Sequence, residues 1–439
     1  MARPKGVGDA GATAGNDDRR ERMSIVEEQL TSGRAEPPAT ARYARKKKAI
    51  VAAASDILNH DGVKGMTLAS VAARVGLITT SVTYYFKKKE ELAVACFLEG
   101  IDRFDELFCN ALRADDPRER LLLLLESWLD LHRKIKTREA PPIAVFNDIR
   151  ALDKEHRSVV FERYTKFFTN VRRLFVAPEL SFLDERSEMA RAHVLTEQIF
   201  WAVAWLPRYD FEDYARIRNR MFDIFVHGLA TPGRVWQPSP LDLDEVLPSE
   251  ADLTARETFL VAATRLINER GYRGASVEKI SARLNVTKGS FYHHNDAKDD
   301  LVVQCFQRSF EVMRRIQRAA SRRGGDQWAE LVTAAATLIS YQLSERGPLL
   351  RTSALSALPE SIRLEMVQAS NRISDRFAST ISDGIASGSL RAVDPFIASQ
   401  MLTATMNVAS TIGRWFPGVE RDEAVALYAK PMLMGIFSK

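Results

Sequence analysis

Five apolar residues spaced as one face of an α-helix, Ile50, Ala53, Ala54, Ile57 and Leu58, recur 209 residues later as Phe259, Ala262, Ala263, Leu266 and Ile267. Spacing of i, i+3, i+4, i+7 gives a helix one stripe to bury. Both runs close on a glycine, Gly62 and Gly271, a residue that takes the positive φ of a helix end without steric cost. Thr67 and Ser276 then stand as N-caps to second short patterns, Leu68, Val71, Ala72, Val75 and Val277, Ile280, Ser281, Leu284. Gly76 and Asn285 follow, the two residue types that best accept positive φ, and a tight turn between short helices at this spacing is a helix-turn-helix. Two such units in one register mean that the chain is a duplication.

The repeat runs further. "EAPPIAVFNDIRALDKEHR" (139–157) parallels "ERGPLLRTSALSALPESIR" (345–363), and "WLP" (205–207) parallels "WFP" (415–417). Everything after each helix-turn-helix reads as long helices without the alternation of strands, so the expected fold is all-α. The expected organisation is a disordered tail over 1–40, helix-turn-helix units at 41–92 and 250–301, helical bodies at 93–230 and 302–439, and a Pro-rich linker at 231–249.

Charge falls unevenly on the two units. Between Ala41 and Lys89 the net charge is +8, against +2 from Glu250 to Lys298. Basic charge gathered on one helix-turn-helix suits a polyanion. The three cysteines (Cys96, Cys109, Cys305) show no pairing that suggests a disulfide framework or a zinc ribbon, which suits a reducing cytosol. No segment reaches the roughly 20 apolar residues of a membrane span. There is no G-x-S-x-G, P-loop, dinucleotide fingerprint or HExxH, and the seven histidines lack metal-ligand spacing, so neither catalysis, a cofactor nor a metal is expected. His293 and His294 are adjacent, which on a helix points them apart.

The segments "GLITTSVTYYFKKKEEL" (76–92) and "NVTKGSFYHHNDAKDDL" (285–301) resemble the recognition segment of the tetracycline-repressor (TetR) family of bacterial transcriptional regulators. The resemblance covers nearly all of 42–439, strongly in the helix-turn-helix units and elsewhere only in length and helix layout. It implies two tandem units, each a three-helix DNA-binding domain followed by a roughly six-helix effector-binding and dimerisation body. Members normally act as homodimers on palindromic operators and release DNA when a small ligand binds, so a covalent tandem implies an intramolecular pseudo-dimer; a homodimer of two chains stays open. The sequence departs from the family at Ile78, where a Ser or Thr cap is usual and Thr79 or Thr80 would take over, and at His294 and Asn295 in the second copy.

A recognition helix presents base-reading side chains near its start and phosphate donors around it. In the first copy Thr79, Thr80, Ser81 and Thr83 are assigned to the groove, with Thr67 capping the preceding helix; in the second, Ser276 is the cap and Thr287, Lys288, Gly289, Tyr292 and His293 face DNA. By family position Tyr84, Tyr85 and Lys89 are phosphate clamps, with His293, His294 and Lys298 as counterparts, while Arg45, Lys46 and Lys47 extend the backbone contact. Phe86 reads as a core aromatic. The two half-sites are therefore expected to differ in sequence.

For the bodies the resemblance implies a pocket for a small hydrophobic or aromatic effector. Its candidate lining is Trp128, His132, Phe146, Tyr164, Phe168, Trp201 and Trp205 from the first body, and Trp328, Tyr341, Arg351, Met366, Met401, Met406, Asn407 and Trp415 from the second. The leading expectation is a ligand-responsive regulator, a repressor, in the cytoplasm and associated with the nucleoid. Two alternatives stand beside it: a second unit retired to dimerisation and effector binding, and a sensor or adaptor without an operator.

Overall fold

The computed structural model describes residues 38–248, 255–275, 277–283, 298–409 and 411–439. Residues 1–37, where the tail was expected, and 284–297, which hold the second recognition segment, lie outside the described residues. The described residues are helical, with a single isolated bridge between Ala230 and Leu390 in place of any sheet.

In the first half α1 (Pro38–Gly65), α2 (Leu68–Arg74) and α3 (Thr79–Tyr85) form the helix-turn-helix, and α4 (Lys89–Ala111), α5 (Pro117–Lys136), α6 (Lys154–Arg172), α7 (Glu185–Trp205) and α8 (Tyr214–His227) form the body. After the short α9 (Leu243–Val246), the second half repeats the plan as α10 (Ala255–Gly274), α11 (Val277–Arg283), α12 (Lys298–Arg322), α13 (Gln327–Gln342), α14 (Glu360–Ser387), α15 (Pro395–Ala409), α16 (Ile412–Trp415) and α17 (Arg421–Met434). The 3-10 turns Phe146–Ala151 and Thr352–Ala357 match as well.

Local chemistry explains the breaks. Gly62 (φ 67°) and Gly271 (φ 70°) interrupt the first helix of each half. Thr67 caps α2 through a reciprocal pair, Ser70 N–H donating to Thr67 Oγ1 at 3.0 Å and Thr67 N–H to Ser70 Oγ at 3.1 Å. Gly76 makes the turn into α3 at φ 65°.

Duplication extends to single contacts. The thiols of Cys96 and Cys305 donate to Val51 O and Leu260 O at 3.6 and 3.7 Å. Asn59 Nδ2 donates to Ile143 O while its Oδ1 accepts from Val145 N, both at 2.8 Å; Asn268 does the same with Leu349 O at 2.8 Å and Arg351 N at 3.0 Å. Each asparagine amide thus ties a helix-turn-helix to the loop of its own body. Burial pushes the Cys96 thiol up to about 12 and the Cys305 thiol to about 11, so both stay protonated and inert.

The bodies meet through their last helices, α7 and α8 packing on α15 and α17. Gln198 Nε2 donates to Met401 O at 2.7 Å and Thr405 Oγ1 at 3.0 Å, and Trp201 Nε1 to Gln400 Oε1 at 3.2 Å. The buried guanidinium of Arg191 donates to Ile436 O and Ser438 O, both at 2.8 Å. Gly228 and Gly435, equivalent by the repeat, abut at one end of this seam, where Leu229 N donates to Leu433 O at 2.8 Å and Ile436 N to Phe225 O at 2.6 Å.

The chain leaving α8 is strapped onto the second half. Arg391 pairs with Asp223 at 2.7 Å and donates to Gly228 O at 2.9 Å, and Leu241 N donates to Thr337 Oγ1 at 2.9 Å.

Candidate functional site

On α3, Val82 is fully buried and Phe86, just beyond, is 6% exposed, so these two anchor the helix and turn its opposite face outward. Phe86 is thus a core aromatic. Thr79, Thr80 and Tyr84 lie on the outward face, Tyr84 at 68% exposure, while Ser81, Thr83 and Tyr85 are half-buried. The Thr83 hydroxyl donates back to Thr79 O at 2.8 Å, and the Tyr84 and Tyr85 rings meet edge to face at 5.3 Å. Neither Thr79 nor Thr80 has become the cap: Ile78 holds that position without a side-chain hydrogen bond, and the two threonines open the helix itself. Arg45, Lys46 and Lys47 are exposed within α1.

The Lys89 side chain, expected as a phosphate clamp, has protein acceptors within reach. Its ammonium donates to Val63 O at 3.2 Å and Lys64 O at 3.0 Å, carbonyls at the end of α1. Lys298 repeats this on Tyr272 O and lies 4.2 Å over the Tyr272 ring. A cation on helix-terminal carbonyls satisfies orphan acceptors and opposes the helix dipole. Lys89→Met is therefore expected to lower the unfolding midpoint, by about 1 kcal/mol of stability, and to leave the salt dependence of DNA binding nearly unchanged. Thermal unfolding beside a salt titration checks both. Ser276, Thr287, Lys288, Gly289, Tyr292, His293 and His294 lie outside the described residues.

A cavity of about 650 Å³ opens where the bodies meet. Of the candidate effector residues, Trp128, His132, Phe146, Tyr164, Trp201, Trp205, Arg351, Asn407 and Trp415 line it. Phe168, Trp328, Tyr341, Met366, Met401 and Met406 do not; they are buried in packing, Phe168 against Trp415 at 4.6 Å and Tyr341 with its hydroxyl on Arg346 O at 2.7 Å. Sequence reasoning missed Phe104, Phe200, Arg150, Glu197, Arg363 and Asn59 in the wall. Phe104, Phe146 and Phe200 form an edge-to-face cluster with centroids 5.1 to 5.9 Å apart. Asn59 was findable, because its asparagine recurs at the repeat offset as Asn268.

His132 is buried, with Nδ1 2.9 Å from the Tyr214 hydroxyl and Nε2 lacking a partner. Burial, with Lys136 nearby, pushes its pKa down to about 4 from 6.5, so the ring is neutral near pH 7.

Comparison with known proteins assigns the helix-turn-helix units. The sequence profile described as "Bacterial regulatory proteins, tetR family" matches twice, at residues 50–96 and 259–305. The chain is 29% identical over 139 residues to the HTH-type transcriptional repressor DhaR of Mycobacterium sp. (strain GP1), covering 31% of this chain and 70% of DhaR. The chain belongs to the tetR family. Over 50 residues it is 38% identical to the transposon Tn10 TetC protein of Escherichia coli, 11% of this chain and only 25% of that protein. Among solved structures, AibR in complex with isovaleryl coenzyme A and operator DNA is 23% identical with a TM-score of 0.33, covering 40% of this chain and 97% of its own. FadR from Bacillus subtilis in complex with stearoyl-CoA is 18% identical with a TM-score of 0.33, covering 40% and 95%.

This tetR-family regulator is thus a tandem: its two matches fall on the two repeated units. Among the described residues no helix is long and apolar enough to cross a membrane. Because the folded tetR-family chain binds the His132 proton more weakly than the unfolded chain does, the stability gained by keeping this ring neutral is full above about pH 6.5 and is lost as pH falls toward 4. The stability gap between the native chain and His132→Gln is expected to narrow by up to about 3 kcal/mol over that range, read from urea midpoints at each pH.

Proposed function

We propose that this chain is a ligand-responsive transcriptional repressor that binds operator DNA as an intramolecular pseudo-dimer, without catalytic activity. The observation that carries the reading is the pairing of α7 and α8 with α15 and α17 within one chain, which supplies internally the partnership that two separate units would otherwise have to form. The outward face of α3, with Thr79, Thr80 and Tyr84, supports DNA reading by the first unit, and the exposed Arg45, Lys46 and Lys47 support backbone contact. The aromatic cavity supports a small hydrophobic or aromatic effector.

The mass of the complex between purified protein and DNA selected from a random pool tests this. One chain per bound site is expected. Two chains per site would instead support the reading in which the second unit serves dimerisation alone. Absence of any selected sequence would leave a sensor or adaptor.

A further inference from the structure

Resting on the reading of the chain as a ligand-responsive regulator, we infer that the cavity is one effector site shared by both halves, and that it takes an amphipathic organic acid. The acid's apolar body lies among the aromatic side chains and its carboxylate meets Arg351 and Arg363.

The walls fix the stoichiometry. Trp128, His132 and Trp201 come from the first half, and Arg351, Arg363 and Asn407 from the second, so a molecule filling the space touches both. One ligand in this cavity follows.

Charge fixes the class. Four cationic side chains, Lys136, Arg150, Arg351 and Arg363, stand in the wall against one carboxylate, Glu197. Arg351, 15% exposed, meets Glu197 only at 3.6 Å, longer than a charge-assisted hydrogen bond, and Arg363 has no ion pair among the described residues. A ligand carboxylate offers these guanidiniums the closer acceptor that the protein does not. At the open side Val145, Val203 and Val367 are 37 to 40% exposed, an apolar rim for the far end of a long ligand.

The same site is connected to both DNA-binding units. Asn59 of the first unit lines the cavity and holds the Ile143–Val145 segment, which also lines it. Asn268 of the second unit accepts the Arg351 N–H on Oδ1 at 3.0 Å and, on its main-chain oxygen, the Arg150 guanidinium at 2.7 Å. A carboxylate that draws Arg351 toward itself acts on a loop tied to α10, so a single bound molecule biases both units.

Calorimetry on the full chain tests this with decanoate and 2-naphthylacetate as acids, and decan-1-ol and 2-naphthylacetamide as neutral partners of the same shape. The expected result is one acid per chain, bound about tenfold or more tighter than its neutral partner. Arg363→Met is expected to erase that margin while leaving the neutral ligands unaffected. The bound acid is also expected to change DNA affinity, and Asn268→Ala, measured at saturating acid, to pass on less of the change. Two acids per chain, equal binding of acid and neutral partner, or no acid binding by protein that still holds DNA would each overturn the inference. Failure to bind any DNA sinks the regulator reading instead, and the calorimetry then judges the site alone.

Discussion

Gly228→Val is expected to destabilise the protein by about 3 to 5 kcal/mol, the sum of a glycine-only backbone and an overpacked seam. Gly228 ends α8 at φ 63° and ψ −150°, a region that other residues enter only under strain. A Cβ there would collide with Leu433 O and stand 2.6 Å from Gly435 N, both main-chain atoms that cannot swing aside. The collision falls where the two halves exchange hydrogen bonds through Leu229 N and Ile436 N, so the variant pries the halves apart as well as straining the chain. Gly233→Ala is the control: its φ is 84°, but nothing lies within 4 Å of the added carbon, so only strain of about 1 kcal/mol is expected. Differential scanning calorimetry of both variants decides the matter. Equal melting temperatures would mean that the Gly228–Gly435 contact does not hold the halves together.

Thr80→Ala combined with Tyr84→Ala is expected to weaken DNA binding by roughly 10- to 100-fold with only a small drop in unfolding temperature. Both side chains lie on the outward face of α3 and leave the anchors Val82 and Phe86 in place, so the fold loses little beyond the edge-to-face contact of Tyr84 with Tyr85. Fluorescence anisotropy at one fixed salt concentration measures the loss. Unchanged affinity would take α3 out of the DNA interface and move the proposal toward a non-DNA role. Val82→Ala makes the contrast, because deleting buried methyl groups costs about 1 kcal/mol or more of stability and weakens binding only through the helix it supports.

What the sequence determined by itself was the local architecture and its doubling. Helical periodicity, the positive-φ glycines and the Thr67 cap act within a few residues of themselves, and a repeat offset is legible wherever two such patterns coincide. Those features placed α1 to α3 and, in the second half, α10 and α11. The tertiary structure alone decided where side chains end. A tryptophan on an apolar helix face looks the same in sequence whether a neighbour or an empty space faces it, which is why Trp201 lines the cavity while Trp328 lies in packing. Long flexible side chains were equally undetermined: Lys89 lies at a family contact position, yet its ammonium reaches carbonyls 25 and 26 residues earlier in the chain. The cavity's charge balance depended on Glu197 from the first half and Arg351 and Arg363 from the second lining one space, and the packing of α7 and α8 on α15 and α17 joins the halves that carry those distant positions.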